Sequence, residues 1–172
     1  NIKKDLSRCV CTLRPKSEGG LFVGKEDERK SILRLIAEYN PFLLDVEFNT
    51  IQKDKKLASY LKKSKCKLLI SWHDFKKTPN ESQLKSRFNK MRKFSNVVKI
   101  VTVAKNVSDA SRLLSLYSVK SKNKMVAFCM GDQGKFSRIL CLHLGSPFTY
   151  VSLGKAIAPG QFSVDEIKSL EN

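Results

Sequence analysis

Reactive chemistry in this chain can be built on two residues, His73 and Lys99. His73 lies inside Cys66-Lys67-Leu68-Leu69-Ile70-Ser71-Trp72-His73-Asp74-Phe75-Lys76-Lys77-Thr78-Pro79. Leu68 to Ile70 is an apolar run long enough for a buried strand and too short for a helix. Thr78, Pro79 and Glu81 follow in the pattern of N-cap, N1 and N3, so the spacing predicts a strand, a loop and a capped helix. That puts His73 at the carboxyl end of a strand, where α/β proteins bind ligands. Lys99 lies inside the β-branched run Val97 to Ala104. Burial disfavours an ammonium, so a lysine there is expected to lose its proton and become a nucleophile. A histidine and a lysine on neighbouring strand ends suggest imine chemistry on a carbonyl, with proton transfer.

The elements that position these residues alternate strictly. Strand-like runs cover Arg8–Leu13, Phe42–Phe48, the His73 run, the Lys99 run, Met125–Met130 and Phe148–Leu153. Between them, apolar residues recur at helical spacing: Ile32, Leu33, Ile36 and Tyr39; Leu57, Tyr60 and Leu61; Leu84, Phe88, Met91 and Phe94; Ala110, Leu113, Leu114 and Tyr117. Ser137–Leu144 reads as a short helix. Ser163 and Glu166 form a capping box for a last one, carrying Val164, Ile167 and Leu170. Arg14, Asp45, His73, Lys99 and Met130 occupy equivalent strand positions about 30 residues apart, the length of a βα unit. Alternation with apolar strands implies a parallel sheet. Residues ending five successive strands favour a (β/α)8 TIM-type barrel over a doubly wound sheet, in which only strands near the switch point face a ligand. No Gly-rich phosphate loop follows any strand.

Composition narrows the classes. The 172 residues fit one domain, 1–172, with 41% hydrophobic content. No run approaches the ~18 apolar residues of a membrane span. The five cysteines, Cys9, Cys11, Cys66, Cys129 and Cys141, lack C-x-x-C spacing and mostly lie in apolar runs. They read as reduced thiols of a cytoplasmic protein, with no zinc site or disulfide frame. Lysine and arginine number 33 against 16 acidic residues, a formal charge of +17. Nucleic acid is the reflex partner for such an excess. The basic residues are scattered on segments with helical apolar spacing, so solvated helix faces explain them more simply.

Taken together, His73, Lys99, Arg138 and Ala158-Pro159-Gly160-Gln161 make the sequence resemble type I 3-dehydroquinate dehydratase, the Schiff-base enzyme of the shikimate pathway. The matching segments are Thr12-Leu13-Arg14 with Glu18-Gly19-Gly20, Asp45-Val46-Glu47, Ser71-Trp72-His73-Asp74-Phe75 with Thr78-Pro79, and Lys99-Ile100. Met130-Gly131, Gly134, Ser137-Arg138 and Gly145-Ser146 complete the set, in family order over nearly the whole chain. The resemblance implies a barrel enzyme of aromatic amino-acid biosynthesis that needs no metal or cofactor, acts on a small molecule, 3-dehydroquinate, and forms a homodimer. It matches Lys99 to the imine-forming lysine and His73 to the general acid/base. Glu18 matches the carboxylate that orients the histidine, with Asp45 assisting. Arg138 matches the clamp on the substrate carboxylate, Arg14 and Gln161 match groups that hold substrate hydroxyls, and Met130 packs beside the lysine.

Two departures stand out. Ile157 occupies the position two before Pro159 where the family usually carries a substrate-binding serine. The family's first two strands, one bearing a Glu-x-Arg pair, have no counterpart, so the chain is expected to be N-terminally incomplete relative to the family. Alternative readings are a class I aldolase, which also uses a barrel lysine imine, and a basic nucleic-acid-binding module.

Overall fold

The computed structural model describes residues 4–170. They group into two compact units: one runs to Trp72 and includes Asn89–Lys99, and the other takes His73–Phe88 and everything from Ile100 onward. The chain order is β1 (Val10–Thr12), α1 (Glu26–Glu38), β2 (Leu43–Glu47), α2 (Phe48–Lys53), α3 (Lys55–Lys63), β3 (Leu68–Asp74) and α4 (Glu81–Met91), followed by β4 (Val97–Val103), α5 (Val107–Leu114), β5 (Lys124–Met130), α6 (Ser137–His143) and α7 (Val164–Leu170). The strands follow one another as β1-β2-β3-β4-β5 in a single sheet. β1, β2 and β3 pair in parallel, with Thr12 opposite Asp45 and Glu47 opposite Ser71. The α/β class read from alternation is therefore the observed one.

In the first unit every residue of β2 is buried, as expected of a strand covered on both faces. Helix α1 turns Leu33 and Ala37 inward, and Arg29 lies on that same buried stripe. Phe48 and Phe94 meet edge to face at 6.0 Å. Phe48, expected to end a strand, instead opens α2, because the chain passes straight from β2 into the helix at Glu47. Asp54 caps α3 by accepting the Leu57 N–H at 2.8 Å.

In the second unit a cluster of Val101, Leu114, Val126, Phe128, Met130 and Cys141 forms the core. The expected helix after His73 is present, but its cap is Asn80, whose Oδ1 accepts the Gln83 N–H at 2.9 Å. Thr78, read as that cap, uses its buried hydroxyl elsewhere. It donates to the Val103 carbonyl at 2.9 Å and lies 2.7 Å from Thr102 Oγ1. A residue held by β4 cannot also close a helix. The Ser163–Glu166 capping box forms in both directions, at 3.1 and 2.7 Å.

Phe148–Leu153, expected as a sixth strand, has only the bridge from Ser152 to Ser163. The reason lies on β5. Its outward Ala127 N–H donates to the Tyr117 hydroxyl at 2.8 Å, and that hydroxyl lies 3.3 Å from the Met125 and Ala127 carbonyls. The Cys129 N–H donates to Ser137 Oγ at 2.8 Å. Side-chain hydroxyls thus occupy backbone groups that a further strand would need. Phe148 and Tyr150 pack on the core through their rings instead.

Candidate active site

In the first unit, Asp45 in the middle of β2 collects three donors. Its Oδ2 accepts from Arg14 Nη2 at 2.7 Å and from Lys99 Nζ at 3.3 Å, while Oδ1 accepts from the Ser71 hydroxyl. The pleat puts Asp45 and Glu47 on one face, so Arg14 also reaches Glu47 Oε1 at 3.2 Å and Ser71 Oγ at 3.1 Å. Lys99, on β4, is 8% exposed. Burial pulls its ammonium below the usual lysine range and the Arg14 charge adds to this, while Asp45 pulls the other way. An amine so placed sheds its proton more readily than a lysine in water.

Glu47 is itself held from behind. Its Oε2 accepts from Arg29 Nη1 at 2.7 Å. Arg29 spends its remaining donors on the Leu13 carbonyl, both Glu26 oxygens and Thr50 Oγ1. It therefore ties α1 to the end of β1, to β2 and to α2 at once. Burial raises Glu47 above the normal carboxylate range, against the pull of Arg14 and Arg29.

Glu18 closes a 3-10 turn, Lys16–Glu18, that Gly19 ends at φ 77°. It is 5% exposed, and its Oε1 accepts from Asn49 Nδ2 at 2.9 Å. Burial first, and repulsion from Glu47 second, push its carboxyl up to about 7. A carboxyl titrating near neutrality suits a partner in proton transfer.

In the second unit, the His73 ring stacks on Phe75 at 5.9 Å. The turn behind it is pinned by Asp74 Oδ1, which accepts the Lys76 and Lys77 N–H groups at 2.9 and 3.0 Å. Arg138, on α6, is 2% exposed and has no carboxylate partner among the described residues. Its guanidinium lies over the Phe128 ring at 4.4 Å, Nη2 donates to the Pro159 carbonyl at 3.2 Å, and Nε has no protein partner. Burial lowers it to about 10. A buried cation without a counter-ion can take up an anion, and a planar guanidinium suits a carboxylate.

The loop beside Arg138 is stitched to the end of β5. The Gly131 N–H donates to the Pro159 carbonyl at 3.3 Å. Gly160, at φ 70°, approaches Gly131 so closely that a Cβ would lie 2.7 Å from its carbonyl oxygen. Gln161 Oε1 accepts the Ile157 and Ala158 N–H groups at 3.0 and 3.3 Å, so that amide also braces its own loop. Met130 is part of the apolar cluster. Ile157 is 90% exposed.

Each unit thus gathers a share of the expected residues: Arg14, Glu18, Asp45 and Lys99 in one, His73, Met130, Arg138 and Gln161 in the other. Sequence reasoning missed Arg29, Asn49 and the link from Ser71 to Asp45. Arg29 left a signal, a cation four residues before Leu33 on the buried stripe of an amphipathic helix. Asn49 left none. Among the described residues, no three His, Cys, Asp or Glu side chains gather as a metal-binding group, and no helix is long and apolar enough to cross a membrane.

Known proteins resemble this chain over most of its length. The family model for type I 3-dehydroquinase matches residues 2–171. The 3-dehydroquinate dehydratase of Pyrobaculum aerophilum is 40% identical over 158 residues, which are 91% of this chain and 50% of that protein. The enzyme of that name from Methanocaldococcus jannaschii is 33% identical over 94% of this chain and 74% of its own length. The chain therefore spans about half the length of the first relative and about three quarters of the second. Among solved structures, a type I 3-dehydroquinate dehydratase from Clostridium difficile with covalently modified comenic acid superposes with a TM-score of 0.82. It is 26% identical, and the match covers 92% of this chain and 65% of that one. The Aquifex aeolicus 3-dehydroquinate dehydratase gives a TM-score of 0.79 at 28% identity, over 99% of this chain and 78% of that one. The TIM-type α/β fold expected from the sequence is the fold of these structures, and with the family model spanning nearly every residue, the chain belongs to the type I 3-dehydroquinase family.

Proposed function

We propose that this chain carries the chemistry of a 3-dehydroquinate dehydratase, removing water from 3-dehydroquinate to give 3-dehydroshikimate through an imine on Lys99. The observation that carries the reading is Lys99 itself: a lysine 8% exposed, lowered by burial and held by Asp45 on the face of a parallel sheet. Family membership supplies the substrate class.

In this reading the neutral amine adds to the substrate ketone and expels water, leaving a protonated imine. The imine withdraws electrons from the neighbouring carbon, so the adjacent C–H becomes acidic. His73 removes that proton, and the electron pair moves into an enamine. The enamine then expels the β-hydroxyl, which His73 protonates as it leaves. Hydrolysis of the imine releases product and regenerates the amine. Glu18 supports the histidine in both protonation states, and Asp45 positions Lys99 and steadies its charge. Arg138 binds the substrate carboxylate, whose anion restores charge balance to a buried guanidinium. Arg14 and Gln161 hold hydroxyls, and Met130 supplies packing. The protein acts on its small-molecule substrate as a cytoplasmic homodimer.

Borohydride reduction in the presence of 3-dehydroquinate tests this directly. A ligand-sized adduct that peptide mapping places on Lys99, absent from Lys99→Ala and slower to form in His73→Ala, is the expected result. Folded protein that gives no adduct overturns the imine reading.

A further inference from the structure

Glu18 sits on a single 3-10 turn, a short element with few bonds of its own to fix a side chain. Its Oε1 accepts from Asn49 Nδ2 at 2.9 Å. Asn49 lies on α2, which leaves β2 without a connecting loop, and the next residue, Thr50, is anchored by Arg29 at 2.6 Å. The amide is thus carried on backbone whose place is set by the buried Arg29–Glu47 pair. We propose that Asn49 is a positioning residue for Glu18, its neutral amide fixing the orientation of the carboxyl group and favouring its ionised form. This rests on the reading of Glu18 as the partner of the acid/base histidine.

An amide suits the task. It donates to a carboxylate without bringing a charge that would lock the group ionised, as a lysine would. The surrounding charges oppose one another. Glu47 and Asp45 resist ionisation of Glu18, Arg14 favours it, and burial is the largest influence against it. Glu18 and Asn49 also line a groove of about 680 Å3 whose charged walls are Glu26, Lys30, Lys53, Asp54, Lys55 and Lys56. Within that set, Asn49 gives the direct hydrogen bond that favours the anion.

The test is a carbon-13 carboxyl titration of the whole chain by NMR, with the Glu18 resonance identified by its loss in Glu18→Gln. Asn49 is exposed, so its substitution leaves the core untouched. The midpoint of Glu18 is expected to rise by roughly one pH unit in Asn49→Ala, and further in Asn49→Asp, where a like charge replaces the donor. The acid limb of kcat moves with it, lowering the rate at pH 6 by roughly tenfold with KM unchanged. A Glu18 midpoint that stays in place in Asn49→Ala overturns the proposal, as does an acid limb that stays in place while the midpoint moves. If the wild-type chain dehydrates nothing, the functional reading fails on its own, and the titration still decides whether Asn49 controls Glu18.

Discussion

Two arginines are almost wholly buried, and they are buried in opposite ways. Arg29, in the first unit, satisfies all of its donors on Glu47, Glu26, Thr50 and the Leu13 carbonyl. Arg138, in the second, lies on an aromatic ring with one carbonyl as its hydrogen-bond acceptor and no carboxylate among the described residues. Taking a guanidinium out of water is expensive, and only close counter-charges and hydrogen bonds offset it. Arg29 is compensated by the protein. Arg138 is not compensated in this way, which is why we propose it as the clamp on the substrate carboxylate. The same residue type at the same burial is thus a strut in one place and, in the proposed reading, a receptor in the other, and the hydrogen-bond partners separate the two.

Substitutions put that contrast to the test. The largest effect is expected at Lys99, the proposed imine-forming lysine, which Asp45 holds at 3.3 Å. Lys99→Ala should lower the proposed dehydration by on the order of 10⁴-fold, about 5 kcal/mol in the activation barrier, measured as kcat with 3-dehydroquinate. Next, Arg29→Met leaves Glu47 without its fully buried counter-charge, so urea unfolding should show a loss of about 3–5 kcal/mol. Arg138→Met strands no carboxylate, and its stability should stay within about 1 kcal/mol of the parent in the same titration. It should nevertheless weaken substrate binding, by about 2–4 kcal/mol read from KM, because the clamp on the carboxylate is gone. If the two variants lose stability equally, the distinction between strut and receptor fails.

Glu18 gives a smaller effect with a definite sign. Its folded value of about 7 lies above its ordinary 4.5, so the folded protein holds this proton more tightly than the unfolded chain. The resulting stability is fully present below pH 4.5 and is lost as the pH rises through 7. Relative to the parent, Glu18→Gln should therefore gain stability between these values, reaching about 1–3 kcal/mol above pH 7, as thermal melts across pH can show. The smallest effect concerns Ile157, at the position where the sequence resemblance leads to the expectation of a serine. Ile157→Ser, on a side chain 90% exposed, should change stability by less than about 0.5 kcal/mol while lowering KM a few-fold.

Much of this could be read from the residues. Alternating apolar runs announced an α/β chain, and Asp45 with Glu47 on one face followed from the period of a strand. The placement of Lys99 in a β-branched run foretold its burial. What escaped was whatever depends on a partner distant in sequence. Thr78 has every local mark of a helix cap, yet Thr102 and Val103 claim its hydroxyl. Phe148–Leu153 has the composition of a strand, but strand pairing needs a neighbour with open backbone groups. Asn49 carries no periodic or compositional mark, because its importance comes from Glu18, 31 residues earlier.

The hydroxyls lining β5 also bear on how the protein behaves in a crowded solution. An uncovered sheet edge is a template on which another chain can add a strand, the first step towards aggregation. Tyr117 engages the Met125 and Ala127 carbonyls and the Ala127 N–H, and Ser137 engages the Cys129 N–H, so the middle of this edge offers a foreign strand little to pair with. Two side chains thereby protect this edge against strand addition, a protection that charge repulsion from the basic surface would give only at low salt.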